Sequence, residues 1–331
     1  MKKLVALFLS LVLLSAMAVV PALAEQTTPS ICIVVAGTLG DRSFYDSAKE
    51  GIDRLATEYG TVTNVIECKE DASLYESALF DAAESYDIVA AVGWQFWDAL
   101  ATPDGVVSAF PDVKFLFIDN GLDGVGDNLM SIIYTQNEGS FLVGYIAAKL
   151  SKTGKIGAVG GDNSDTINDF LVGYEAGAKY ANPDVTVETQ YALSFEDPAK
   201  GKECALALYS GGCDIVYQVA GKTGEGVFEA AAQTGNLAIG VDGDQKYINP
   251  DVIICSMVKR VGDSIYDVVL DVDGKFQPGA IWAADMASGY IDVVYGTDDM
   301  TQQVSDELKA EVEELKTKII SGEITVPTAL Q

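Results

Sequence analysis

The feature that most constrains the fold is a regular alternation of short apolar runs with segments of helical periodicity. Ile31–Ala36 is a continuous apolar run, typical of a parallel strand that is covered on both faces. From Ser43 to Tyr59, apolar or small residues recur at helical spacing. A strand followed by a helix in this way predicts one unit of a parallel α/β sheet.

The same rhythm continues along the chain in two consecutive series. The first predicts further strands and helices near Thr61–Cys68, Leu74–Ser85, Ile88–Val92, Val106–Phe110, Phe115–Ile118 and Leu129–Tyr134. The second predicts elements near Glu138–Leu150, Ile156–Val159, Ile167–Tyr180, Val185–Tyr191, Ala199–Tyr209, Ile215–Val219, Val227–Ala232 and Leu237–Val241. Two series of similar size predict an α/β fold with two doubly wound lobes.

No linker rich in Pro, Gly or Ser separates the two series, so we expect short hinge segments that cross between the lobes more than once. The expected first lobe is 29–134 plus about 257–280. The expected second lobe is 135–256 plus about 281–331. Near the C-terminus, Ser305–Ser321 is predicted to be a helix with Ser305 as its N-cap.

The N-terminus predicts export from the cytoplasm. Lys2 and Lys3 precede an apolar run from Leu4 to Val20, which is followed by the small-residue pattern Ala22-Leu-Ala24. This is the pattern of a signal peptide, residues 1–24, and the run is short for a retained membrane helix. We therefore expect an extracytoplasmic mature chain. Residues 1–31 contain no Cys, so we find no lipoprotein attachment site.

The charge of the chain excludes several kinds of partner. It carries 21 basic and 49 acidic residues, a formal net charge of −28. Such a chain repels phosphate backbones and anionic lipid, so nucleic-acid binding and docking on a membrane surface are not expected. We read the acidity as a source of solubility, and we expect a monomer.

The sequence lacks most of the residues that catalytic and metal-binding sites use. The chain has no His, which removes the Ser/His/Asp and Cys/His nucleophile systems, and it has no CxxC motif. Its five Cys are an odd number, so at least one thiol is unpaired, and spacing alone leaves a Cys204–Cys213 pair open. Cys32 and Cys255 lie in apolar runs and are predicted to be buried. No cofactor or metal is expected.

Unusual residues collect where the predicted strands end, which is where open α/β sheets bind ligands. These segments are Asp41-Arg-Ser-Phe-Tyr45, Gly93-Trp-Gln-Phe-Trp97, Asp119-Asn120, Gly160-Gly-Asp162, Ser194-Phe-Glu-Asp197, Gly221-Lys-Thr-Gly-Glu-Gly226 and Asp242-Gly-Asp-Gln245. Aromatic rings and carboxylates on two facing lobes predict a cleft for a flat ligand that bears hydroxyl groups and is uncharged or cationic.

Several of these residues have structural alternatives. Phe44 and Phe195 are either ligand contacts or core side chains at helix starts, and Ser43 is either a ligand contact or an N-cap. Asp119 has a ligand role or a structural one. Of the aromatic residues in Gly93–Trp97, one or two face the cleft and the others are expected to pack beneath it. Asp197 before Pro198 is predicted to be a helix N-cap.

The segment Gly221–Gly226 does not have the spacing of a nucleotide-phosphate motif. A P-loop needs Gly five positions before the Gly-Lys-Thr, where this chain has Val216, and the order GxxGxG differs from GxGxxG. The alternatives are a turn whose backbone N–H groups donate to a ligand and a turn with no role beyond its shape.

Taken as an ordered set, eight motifs resemble the basic membrane protein family, the solute-binding proteins of ABC transporters for purine nucleosides. The motifs are Gly40-Asp-Arg-Ser-Phe44, Glu138-Gly-Ser-Phe-Leu-Val-Gly-Tyr-Ile-Ala-Ala148, Lys155-Ile-Gly-Ala-Val-Gly-Gly161, Gly173-Tyr-Glu-Ala-Gly-Ala-Lys179, Ser194-Phe-Glu-Asp-Pro-Ala-Lys-Gly-Lys202, Ala220-Gly-Lys-Thr-Gly-Glu-Gly226, Gly240-Val-Asp-Gly-Asp-Gln245 and Ser256-Met-Val-Lys259. The resemblance extends from about residue 30 to 325.

This resemblance implies a type I periplasmic-binding-protein fold, with a nucleoside held between the lobes and an ABC permease as partner. It implies that Phe44 and Phe195 stack on the base, and that Asp242, Lys259 and the Gly221 backbone contact the ribose. Asp41, Ser43 and Asp119 are left for the base edge and the remaining polar groups.

The chain departs from the family in three respects. Tyr45 stands where the family usually has Asn, and Trp94, which is also expected to contact the ligand, stands where it usually has Phe. The lipoprotein Cys of the family is not found. The ligand is therefore expected to be a purine nucleoside or a related heteroaromatic.

Other functions compete with that of a transport binding protein. A ligand-sensing module for a membrane receptor would have the same fold and cleft. An extracytoplasmic nucleoside-processing enzyme would need clustered aspartates around a metal or a carboxylate pair. Asp242 and Asp244 lie close in sequence, but without the further oxygen ligands that a metal needs. We therefore expect a binding protein that is not an enzyme.

Overall fold

The computed structural model describes residues 28–330, and the predicted signal peptide lies outside them. Its strands are, in chain order, β1 (Ile31–Val35), β2 (Thr63–Glu67), β3 (Ile88–Val92), β4 (Lys114–Ile118), β5 (Leu129–Tyr134), β6 (Lys155–Gly160), β7 (Thr186–Tyr191), β8 (Ile215–Val219), β9 (Leu237–Asp242), β10 (Ile253–Lys259), β11 (Ile281–Ala284) and β12 (Ile291–Val294).

Its helices are, in chain order, α1 (Phe44–Tyr59), α2 (Tyr75–Ala83), α3 (Trp97–Ala101), α4 (Val106–Ala109), α5 (Gln136–Leu150), α6 (Asp165–Ala181), α7 (Pro198–Ser210), α8 (Glu225–Thr234), α9 (Val261–Leu270), α10 (Val272–Lys275) and α11 (Asp306–Ile320). Short 3₁₀ turns at Trp94–Phe96 and Gly221–Gly224 connect strands β3 and β8 to the helices that follow them.

The strands form two six-stranded sheets, one for each lobe. The first has the order β11-β5-β4-β3-β1-β2, and its pairs are parallel. The second has the order β12-β10-β9-β8-β6-β7, in which β12 runs antiparallel to β10. Strands β1, β3 and β8 are buried along their whole length, as expected of central parallel strands with helices on both faces. The predicted α/β fold with two doubly wound lobes is confirmed.

The chain passes between the sheets at three places within residues 28–330. The connections follow β5, β10 and β11, and each joins a strand of one sheet to an element of the other lobe. Helix α9, which follows β10, packs against α1 beside the first sheet. The structure therefore has the short, repeated crossings that the lack of a linker predicted.

Two of these crossings lie a few residues from the predicted lobe boundaries. Residues 257–259, expected in the first lobe, complete strand β10 of the second sheet. Residues 281–284, expected in the second lobe, form β11 and pair with β5 of the first sheet. The boundaries differ because each strand runs its full length in its own sheet before the chain crosses to the other lobe. An apolar run in the sequence does not show which sheet it will join.

Helices α5 and α6 of the second lobe are packed unusually closely. A Cβ atom placed on Gly173 would lie 2.1 Å from the Asn137 carbonyl oxygen, and one on Gly177 would lie 1.8 Å from the Phe141 carbonyl oxygen. Any side chain at these positions would push the helices apart. The motifs at 138–148 and 173–179 thus meet in one helix pair and shape the lobe.

The predicted helix caps and buried cysteines are present in the structure. Ser305 caps α11, since its hydroxyl accepts from the Leu308 N–H, and Asp197 caps α7 ahead of Pro198. All five Cys are unpaired, and Cys32 and Cys255 are buried. Between residues 28 and 330, no helix has both the length and the apolar character needed to cross a bilayer.

Candidate functional site

A cleft lies between the lobes, at the carboxyl ends of the central strands of both sheets. Its empty volume is about 540 Å³, with the solvent at its mouth included. The side chains and backbone that line it are Asp41, Phe44, Tyr45, Gly93, Trp94, Gln95, Asp119, Ile167, Phe170, Phe195, Val219, Gly221, Lys222, Asp242 and Lys259. Eight of the nine residues predicted for the ligand site are among them.

Ser43 is the predicted site residue that does not line this cleft. It lies behind Asp242, and its hydroxyl donates to Asp242 Oδ2 at 2.7 Å. Ser43 also stands at the N-cap position of α1, but its side chain makes no capping hydrogen bond. Its described role is therefore to bridge the lobes, because Ser43 belongs to the first and Asp242 to the second.

Asp41 caps the N-terminus of α1, a role that the sequence suggested for Ser43. Its carboxylate accepts from the backbone N–H groups of Ser43, Tyr45 and Asp46, each at 3.0 Å. Burial raises the pKa of Asp41 to about 7, and these three hydrogen bonds partly oppose that effect. The carboxylate fixes the first turn of α1 and with it the position of Phe44.

A buried ion pair forms the floor of the cleft. Lys259, the last residue of β10, places its Nζ 2.6 Å from Oδ1 of Asp119, which follows β4 in the other lobe. Burial raises the pKa of Asp119, while the Lys259 ammonium opposes that shift. The same ammonium lies 4.8 Å from the ring centre of Phe44 and 4.9 Å from that of Phe170. Aromatic faces attract such a cation, so the amino group is held from several sides.

Asp242 has an oxygen without a partner. Oδ2 accepts from Ser43, whereas the buried Oδ1 has no hydrogen-bond partner within the described part of the chain. Burial raises the pKa of Asp242, and Lys259 and the Ser43 hydroxyl oppose that shift. Buried acceptors are normally paired, so an unpaired one in a cleft indicates a place for a donor from a ligand.

Both strand-end aspartates adopt a backbone conformation that side chains disfavour. Asp119 has φ of 79° and Asp242 has φ of 63°. Residues with side chains are uncommon in this left-handed region and concentrate at functional sites. The turns after β4 and β9 therefore aim carboxylates into the cleft at some conformational cost.

The aromatic residues divide between cleft, core and surface. Phe44 and Phe195 both line the cleft, from opposite lobes, and Trp94 lines it as well. The Phe195 ring lies against Gly161, where an added Cβ would be 2.1 Å from Cε1 of the ring. Phe96 is fully buried in the core, as expected for a ring beneath the cleft. Trp97 was also expected to pack beneath it, but this is wrong: it is 44% exposed.

Gly221 begins the 3₁₀ turn that precedes α8, with φ of 53°. The turn is attached to the Phe195 segment, because the Thr223 N–H donates to the Phe195 carbonyl at 3.1 Å. Gly221 itself lines the cleft. One strand-end segment thus supports both a backbone surface and an aromatic ring of the site.

Sequence reasoning missed several residues that line the cleft. Ile167 and Phe170 lie on α6 and were predicted only as part of that helix, with no role at the site. Gln95 was noticed only as part of its strand-end segment. Its buried Oε1 has no hydrogen-bond partner among residues 28–330, which makes it a second unpaired acceptor at this site.

One prominent motif has a structural role next to the site. Gln245 is fully buried, and its Oε1 accepts from the Val241 N–H at 2.9 Å and from the Gln218 side chain at 2.7 Å. Its Nε2 donates to the carbonyl of Arg42 in the other lobe at 3.1 Å. Gln245 thus stabilises the turn that presents Asp242.

In the described part of the chain, no group of three or more His, Cys, Asp or Glu side chains is arranged to hold a metal ion.

The two lobes, their three connections and the cleft between them define a type I solute-binding protein. The family model described as "ABC transporter substrate-binding protein PnrA-like" matches residues 28–329. The chain therefore belongs to this family of substrate-binding proteins, as its motifs predicted.

Individual relatives and solved structures agree with this assignment. Basic membrane protein A of Borreliella burgdorferi is 36% identical over 91% of this chain and 88% of its own. The ABC transporter nucleoside-binding protein BmpA of Lactococcus lactis is 34% identical over 88% of this chain and 87% of its own. A crystal structure of an ABC transporter solute-binding protein from Aeropyrum pernix superposes with a TM-score of 0.79 and 30% identity, covering 90% of this chain and 93% of that one.

Proposed function

We propose that this protein is an extracytoplasmic solute-binding protein that binds a purine nucleoside between its lobes and delivers it to the permease of an ABC importer. The observation that carries the proposal is the unpaired Asp242 Oδ1, buried in a cleft that Phe44 and Phe195 enter from opposite lobes. A nucleoside suits both features, since its base stacks on the aromatic rings and its sugar hydroxyls donate hydrogen bonds to the unpaired oxygen.

The charges of the cleft favour a nucleoside over a nucleotide. Three carboxylates line it, from Asp41, Asp119 and Asp242, against the amino groups of Lys222 and Lys259. One of these, Lys259, is already paired with Asp119. A phosphate group would therefore meet more negative than positive charge, in a site where screening by water is weak.

The other parts of the proposal rest on the family and on the N-terminus. The relative from Lactococcus lactis is named a nucleoside-binding protein, which supports a nucleoside ligand here. The purine preference follows from the motif resemblance. The signal-peptide pattern before Glu25 supports action outside the cytoplasm.

Mass spectrometry of the small molecule released when purified protein is denatured is the most direct test. Calorimetric titration of refolded, ligand-free protein with purine nucleosides, nucleoside monophosphates and free sugars then defines the preference. We expect one nucleoside bound per chain, a raised melting temperature, and weak binding of the other two classes. A nucleoside monophosphate that outcompetes its nucleoside would contradict the proposal.

A further inference from the structure

A carboxylate that does not line the cleft joins the two lobes beside it. Glu196 follows Phe195 directly in the second lobe. Its Oε1 accepts from the backbone N–H of Thr38 at 2.8 Å, and its Oε2 accepts from the Thr38 hydroxyl at 2.6 Å. Thr38 lies after β1 in the first lobe. The two hydrogen bonds therefore join the lobes next to the Phe195 ring.

A second contact joins the Phe195 segment to another part of the first lobe. Glu70, which follows β2 in the first lobe, accepts from the Phe195 backbone N–H through Oε1 at 3.1 Å. The Lys222 ammonium lies 3.7 Å from Glu196 Oε2 and faces the cleft. Phe195 is thus held through its own backbone and through its neighbour by groups on the opposite lobe.

The backbone of the first lobe leaves room for this contact. A Cβ atom on Gly37 would lie 2.7 Å from Glu196 Oε1, closer than a side chain tolerates. The absence of a side chain at Gly37 lets the Glu196 carboxylate approach Thr38. Both carboxylate oxygens of Glu196 accept from Thr38, one from its backbone N–H and one from its hydroxyl. Closing the lobes does not by itself require such a two-point contact, which is therefore specific.

We propose that Glu196 is a positioning residue for ligand retention, which holds Phe195 over the bound molecule by its bond to Thr38. The proposal rests on the proposed function, because it assumes that Phe195 stacks on a ligand in this cleft. The Glu196–Thr38 contact forms only when the lobes are together, so it acts after the ligand has entered. It therefore slows ligand release and leaves entry unchanged.

Stopped-flow kinetics of nucleoside binding on the full mature chain test this assignment. We expect Glu196→Ala to raise the dissociation rate constant about tenfold, since hydrogen bonds to a charged group of this strength correspond to roughly that factor. The association rate constant should stay within about twofold, because the contact forms only after the ligand has entered and interface changes act mostly on dissociation. Glu196→Gln keeps one acceptor oxygen and should fall between Glu196→Ala and the parent.

Two comparisons separate positioning from a general loss of structure. Glu203 is exposed on α7 of the same lobe, so Glu203→Ala removes the same charge and should leave both rate constants unchanged. In a Phe195→Ala background, Glu196→Ala should have a much smaller effect on dissociation, because the ring it positions is gone. Thr38→Val should raise the dissociation rate in the parent but add little to Glu196→Ala.

An unchanged dissociation rate in Glu196→Ala, or an equal increase with and without the Phe195 ring, would overturn the proposal. If the parent binds no nucleoside, the proposed function fails, and this proposal fails with it. If the parent binds a nucleoside and Glu196→Ala releases it at the parent's rate, only this proposal fails.

Discussion

Asp119 and Lys259 belong to different lobes, yet their side chains meet at 2.6 Å on the floor of the cleft. Their side chains are 8% and 2% exposed, respectively. Removing one partner of a buried pair leaves an uncompensated charge, which costs about 3–5 kcal/mol. We therefore expect Lys259→Met to lower the free energy of unfolding by that amount, measured by urea denaturation.

A lysine in an exposed pair provides the control. Lys49 pairs with Asp53 one helical turn away on the surface of α1, and Lys49→Met should change stability by less than about 1 kcal/mol. Adding Asp119→Asn to Lys259→Met should recover part of the loss, because the Asp119 charge that lost its partner is then removed. A double variant as unstable as Lys259→Met alone would show that the cost comes from packing.

The second prediction concerns the two rings that line the cleft from opposite lobes. Phe44→Ala and Phe195→Ala should each weaken nucleoside binding by about 1–3 kcal/mol, the scale for a base that loses an aromatic partner. Both rings are only half-buried, so the variants should still fold. Isothermal titration calorimetry measures the effect. Trp97→Ala, which removes an exposed ring nearby, should bind as the parent does.

Much of the fold could be predicted because its central strands are covered on both faces and read as continuous apolar runs. β3 and β8 have the predicted bounds for that reason. β11 was missed because it has four residues at a sheet edge, three of them partly or fully exposed. Such a segment has neither the length nor the alternation that predicts a strand.

The site was predictable to the extent that it follows from strand ends. That rule placed Trp94, Asp119 and Asp242 in one cleft before their contacts were known. The pairing of Asp119 with Lys259 and of Ser43 with Asp242 was not predictable, since these residues are 140 and 199 positions apart. Such contacts depend on how the lobes meet, which local pattern does not encode.

The third prediction is a dependence of stability on pH that arises at Asp41. Burial raises the pKa of this carboxyl from 3.8 to about 7 in the folded chain. Between pH 4 and 7 the unfolded chain therefore holds fewer protons here than the folded chain does, so this group makes the free energy of unfolding fall as pH rises. Below pH 4 and above pH 7 its contribution is constant.

Asp41→Asn removes this titration while keeping one acceptor oxygen for the N–H groups of α1. The stability of the parent minus that of the variant should therefore decrease by about 1–4 kcal/mol between pH 4 and pH 7. Denaturant unfolding of both proteins at each pH measures the difference. A difference that is flat across this range would contradict the assignment of the shift to Asp41.

The last prediction links Asp242 to the motion of the lobes. The expected ligand contacts divide between them, with Phe44 and Asp119 on the first and Phe195 and Asp242 on the second. A ligand that contacts both lobes shifts the hinge equilibrium toward the closed form, by an amount set by its difference in affinity for the two forms.

Asp242→Ala removes the unpaired Oδ1 and also the oxygen that accepts from Ser43. It should therefore lower affinity and reduce the ligand-dependent decrease in radius of gyration measured by small-angle X-ray scattering. Ser43→Ala, which removes the bridge but leaves the carboxylate, should weaken closure with a smaller loss of affinity. Identical scattering of the parent with and without saturating ligand, starting from ligand-free protein, would show that binding does not close the lobes.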